Sequence, residues 1–134
     1  MKTKLLIICF LLFTSQVFAE TKSLKENTDM DPILVIYRCA ANTFSIIQLV
    51  ELMEDKGKEE MDFQEVMKIR FNFFVDTLIN YHHDHNKNLS KDEITEKTLS
   101  GIADLSKIVL RDIKKPYFRE DTAFCKSIVK YKNE

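Results

Sequence analysis

Apolar residues from Val35 to Val50 recur at the three- and four-residue intervals of an α-helix. Val35, Ile36, Tyr37, Cys39, Ala40, Phe44, Ile46, Ile47 and Val50 cover more than half of the helical circumference. No charge occurs between Cys39 and Val50. A helix this apolar calls for neighbours on most sides. Arg38, Asn42, Ser45 and Gln48 occupy the remaining narrow strip. They argue against a membrane span, where each would be costly. Asp31 can cap free backbone N–H groups, and Pro32 suits the first helical position, where its missing N–H costs nothing. The pattern predicts a first helix from Pro32 to about Asp55, stopped by Gly57.

A second amphipathic stretch carries Phe63, Val66, Met67, Phe71, Phe73, Phe74, Leu78 and Tyr81 on one broad face, with Glu65, Lys68, Asn72 and Asp76 opposite. Ile69 and Ile79 stray onto the polar side. Asp62, with Glu65 three residues on, reads as a variant capping box and predicts a second helix from there to about His83. Ser90 and Glu93 form a fuller capping box, with Leu89 positioned to pack on Ile94. They open a third helix predicted from Lys91 to about Lys114, where Pro116 stops it. Gly101 lies at the edge of its apolar side, where it permits a close helix contact at some cost in propensity. A short fourth helix fits Asp121 to about Tyr131, with Phe124, Cys125, Ile128 and Val129 on one face. Short connections favour antiparallel neighbours. The expected fold is all-α: a small four-helix up-down bundle of three long helices plus a shorter C-terminal one, in a single domain over residues 31–134.

The chain before this domain reads differently. Lys2 and Lys4 precede an unbroken apolar run from Leu5 to Phe13, and the segment closes on Val17-Phe18-Ala19. This is the layout of a cleaved signal peptide over residues 1–19, and the run of 9 residues is too short to span a bilayer, which takes about 20. Residues 20–30 are polar, lack apolar periodicity and read as a flexible N-terminal tail. Loss of Lys2 and Lys4 leaves 18 basic against 21 acidic residues, well mixed along the chain. That balance offers no stripe for nucleic acid, and the chain keeps no stable membrane anchor after cleavage. Cys9 leaves with the leader, so Cys39 and Cys125 remain, each on an apolar helix face. In an oxidising compartment, periplasmic or extracellular, two inward-facing thiols imply a disulfide joining the first and last helices.

Candidate chemistry is sparse. His82, His83 and His85 surround Asp84 at the end of the second helix, and imidazole is a good ligand for zinc, copper or nickel. Adjacent side chains on a helix end point apart, so a polar terminus complementing the helix dipole accounts for the same residues. The stretch from Asp84 to Ile94 resembles the calcium loop of an EF-hand, with Asp84, Asn86, Asn88 and Glu93 as oxygen donors. It departs from that pattern in lacking the loop glycine and in being two residues short. Arg70 falls amid the aromatic face, where a guanidinium needs an anionic partner or a snorkelling stem, and Arg38 raises the same question on the first helix. No G-x-S-x-G, H-E-x-x-H or phosphate-cradling glycine loop is present. With ten phenylalanines, no tryptophan and only two glycines, the chain has more aromatic surface than turn chemistry.

These features point to a non-enzymatic exported interaction module with no required cofactor. It would bind another protein, in the manner of an inhibitor, immunity protein or small chaperone, through an apolar surface including Phe63, Phe71, Phe73 and Phe74. The competing expectation is a bundle that binds a small ligand or a divalent metal through Arg70 or the histidine cluster.

Overall fold

The computed structural model describes residues 22–130. The leader over residues 1–19 and the end of the last helix at Tyr131 lie outside them. Four helices follow in order: α1 (Pro32–Glu51), α2 (Lys58–His85), α3 (Lys91–Arg111) and α4 (Pro116–Lys130). No strand occurs among the described residues.

The apolar first helix takes the central place its pattern demands. α1 packs against α2, α3 and α4, and α2 also packs on α3. Tyr37 meets His82 while Phe44 stacks on Phe71, so α1 and α2 run antiparallel. Ser45 reaches the carbonyl of Ser106, and Asn42 that of Phe118. The bundle is therefore an up-down one. α1 is long and apolar enough to cross a membrane by composition, with a mean hydropathy of 1.6. Three helices pack against it here, and Cys39, Ala40 and Ala41 are fully buried.

The disulfide joins Cys39 to Cys125 with Cα atoms 5.4 Å apart, a separation that needs no backbone adjustment. It bridges α1 and α4 across a sequence separation of 86 residues. Such a bond is compatible with an exported protein.

Several boundaries differ from the sequence expectation. α2 begins at Lys58 rather than near Asp62, so the Asp62/Glu65 capping box does not form. Gly57 stands at the N-cap without a side-chain bond, and Glu59 and Glu60 supply the acidic first turn that the helix dipole favours. Pro116 opens α4 instead of merely ending α3, because its ring suits a first helical turn as well as it blocks continuation. α1 ends at Glu51 and α3 at Arg111, each a few residues short of the expected ends. The Ser90/Glu93 box forms in both directions, and Asp31 accepts from the Ile33 N–H at 2.9 Å.

Within residues 22–30, read from the sequence as a flexible tail, one point is anchored on the bundle. Ser23 and Leu24 are buried, and the Leu24 N–H donates to Asp121 Oδ1 at 2.7 Å. One apolar residue in a polar string has no periodicity to betray it, yet Leu24 joins the core cluster.

Candidate functional site

The polar strip of α1 is an inner seam, not a solvated edge. Asn42 and Ser45 are buried. Asn42 donates to the Phe118 carbonyl and accepts from Thr122, while Ser45 bonds back to the Ala41 carbonyl at 2.8 Å. Arg38 Nε donates to Asp121 Oδ2 at 2.5 Å, Nη2 donates to the Lys22 carbonyl at 2.6 Å, and the guanidinium lies over the Tyr117 ring. As a candidate ligand-binding arginine Arg38 is therefore committed: its donors already serve α4 and the N-terminal turns. Asp121 is the partner that sequence reasoning treated only as a helix start. Tyr117, Asp121 and Cys125 repeat at intervals of four, so an inward cysteine carries the aspartate inward with it. Burial raises the Asp121 carboxyl above its ordinary value, against the pull of the Leu24 N–H and Arg38. Asp112 is held below its ordinary value. Burial pushes it upward, and the Tyr117 hydroxyl, Lys115 and Arg111 outweigh that push.

The histidine cluster diverges. His82 Nε2 meets the Tyr37 hydroxyl at 2.7 Å, and His85 Nδ1 lies 2.7 Å from the Tyr81 carbonyl with its ring stacked on Tyr81. His83 is exposed, 4.0 Å from Asp84. The loop that resembles an EF-hand is likewise engaged. Asn86 caps α2 through the His82 carbonyl, and Glu93 accepts from the Ser90 N–H at 2.8 Å. That bond holds the Glu93 carboxyl below its usual range. Among the described residues no three of these side-chain types are grouped to hold a metal ion.

The four phenylalanines of the expected partner surface separate. Phe74 is fully buried, on the core line shared with Met67 and Leu78, and does not belong to any surface. Phe71 stacks on Phe44 at 5.3 Å, and Phe73 meets Phe74 edge to face. Phe63 alone is openly exposed, at 46%. Its companions are Val66 and Ile69, which stand on the same flank of α2 outside the core face. Ile69 strayed from the core face in the sequence and is exposed at 61%, while Ile79, which strayed likewise, is buried.

Arg70 stands on this flank. It is partly buried, and burial lowers its pKa, the mark of a guanidinium that has lost some water. Among the described residues it makes no hydrogen bond and no ion pair. Beside this flank a trough of about 1010 Å³ opens between α2 and α4. Ile46, Phe63 and Phe118 give it apolar walls, and Lys114, Lys115, Arg119 and Lys126 line its edge, with Glu120 the one acid among the described residues there. It opens where α4 lies on α1 rather than along the first half of α2.

Comparison with protein-family models, with curated proteins and with solved structures finds no match for this chain.

Proposed function

We propose that the protein is a non-enzymatic, exported binding module that captures an acidic amphipathic helix of another protein in the trough between α2 and α4. The observation that carries this reading is Arg70: a partly desolvated guanidinium without a partner among the described residues, on the same flank as exposed Phe63, Val66 and Ile69. Arginine and large aromatic residues are the side chains that most often anchor interfaces. Apolar walls rimmed by Lys114, Arg119 and Lys126 complement a helix with one oily face and a carboxylate border. The disulfide and the leader-like N-terminus support the periplasm or the exterior as the place of work.

Photo-crosslinking in intact cells tests the reading, with a photoreactive side chain at Ile69 and, as control, at exposed Ser100 on α3. A discrete adduct from Ile69, absent from Ser100 and lost with Arg70→Glu, is expected, and its peptide should be an acidic amphipathic helix. Phe63→Ser should weaken the isolated complex by about 2 kcal/mol or more. The same adducts from both positions, or none from Ile69, would reject the trough as the binding surface.

A further inference from the structure

At the opposite end of α2 a second cavity, of about 360 Å³, lies between α2, the start of α3 and Tyr37 of α1. That is the lower end of the size range of small-molecule sites. Leu89 and Ile94 form its apolar part. Its polar part consists of Tyr37, His82, Asn86, Lys97 and Thr98, with no carboxylate among them.

Thr98 is the informative member. Thr43, Thr77, Thr95 and Thr122 each donate to the carbonyl four residues earlier at 2.8 Å. Thr98 is buried at 1% exposure, and its Oγ1 has no hydrogen-bond partner among the described residues. A buried hydroxyl left unpaired is costly, and Thr98 is one of the residues that line this cavity. Beside it the Tyr37 hydroxyl and His82 Nε2 share one hydrogen bond of 2.7 Å. If the imidazole Nε2–H donates to the Tyr37 oxygen, the phenolic O–H is left free to donate into the cavity. Lys97 also lines the cavity, and the nearby Glu93 carboxylate, held down first by its Ser90 hydrogen bonds, is attracted by the Lys97 charge as well.

We propose that this cavity binds a small organic carboxylate. The Lys97 ammonium and the Thr98 and Tyr37 hydroxyls donate to its oxygens, while Leu89 and Ile94 contact its apolar body. His82 acts as the positioning residue that turns the Tyr37 proton toward the ligand. The site shares no residue with the trough and stands independently of it.

The test is an NMR titration of the disulfide-bonded protein with benzoate, with benzamide as the neutral isostere. Benzoate should shift the Thr98 methyl and the His82 ring resonances saturably, and the His82 Nε2 signal should move to that of a protonated nitrogen. Benzamide should bind about tenfold more weakly or worse. Lys97→Gln, at an exposed position, should reduce benzoate affinity by about tenfold. Thr98→Val should reduce it similarly while raising the melting temperature, because it removes an unpaired buried hydroxyl. Equal binding of benzamide and benzoate, no shift at His82 or Thr98, or unchanged affinity in Thr98→Val would each overturn the assignment.

Discussion

The side of the bundle where α4 lies on α1 and the flank of α2 from Phe63 to Arg70 are built on opposite terms. Where α4 meets α1, the buried charges and the cysteines are tied. Cys39 is bonded to Cys125, Arg38 is paired with Asp121, and Asp121 also takes the Leu24 N–H. Along α2, Phe63, Val66 and Ile69 face outward, and Arg70 has no partner among the described residues. The contrast shows a division of labour within one small core. α4 packs on α1 rather than on α2, and a covalent bond and a buried ion pair fasten it there. The apolar flank of α2 from Phe63 to Ile69 is left open. Stability should therefore concentrate at the tied side, and binding at the open one.

The largest test of that division is the disulfide. Closing a loop with a sequence separation of 86 limits the unfolded chain, which the chain-entropy model values at about 4–5 kcal/mol. Denaturant unfolding of the Cys39→Ala/Cys125→Ala variant against the oxidised protein should show a loss near that size. The total stability of such a domain is about 5–15 kcal/mol. A loss below about 1 kcal/mol would show that α4 does not need its staple.

Next comes the ion pair, whose side chains are 12% and 2% exposed. Asp121→Ala strands the Arg38 guanidinium and the Leu24 N–H, and should cost about 3–5 kcal/mol. Replacing both charges with Arg38→Met and Asp121→Leu should cost less than Asp121→Ala alone, since no buried charge is left unpaired. Thermal melts of the three proteins decide the order. If the double variant is the worst, the pair contributes net attraction beyond what its desolvation takes away.

Acid should then separate the two aspartates at this side. Asp112 is held below its ordinary value of 3.8, so the folded state binds its proton less tightly than the unfolded chain. Its contribution is full above that value and is lost as pH falls through the depressed one. Asp121 is raised, so falling pH relieves a cost instead of removing a gain. Asp112→Asn should flatten the acid-side fall of melting temperature, whereas Asp121→Asn should not. The reverse pattern would mean that the Tyr117 and Lys115 contacts to Asp112 do not hold in solution.

The four helices are legible because their apolar residues keep helical spacing over long stretches, and the disulfide because both cysteines fall on apolar faces. The Ser90/Glu93 box is legible for a local reason: donor and acceptor lie within one turn. The same logic misplaces the start of α2, because Asp62 and Glu65 keep that spacing inside a helix already begun at Lys58. Asp121 could be found by carrying the inward direction of Cys125 back one turn. The trough could not, since it depends on which neighbour α4 chooses. The Thr98 hydroxyl, unpaired among the described residues, could not either, because whether a hydroxyl finds an acceptor depends on the folded arrangement around it.

The smallest expected effect is the most pointed for the open flank. Ile69 is exposed at 61%, so Ile69→Ser removes little buried area and should change stability by no more than about 0.5 kcal/mol. Leu78→Ala on the core face of the same helix, where the side chain is fully buried, should cost about 2–5 kcal/mol. Both substitutions delete a branched aliphatic group from α2, so helix propensity alone cannot produce that gap. Equilibrium unfolding of the two variants supplies the comparison. An Ile69→Ser loss approaching that of Leu78→Ala would mean that something covers this flank in the folded chain, and the surface assigned to a partner would already be taken. A neutral Ile69→Ser leaves the apolar flank as exposed area without a role in folding, the condition a binding surface must meet before any partner arrives.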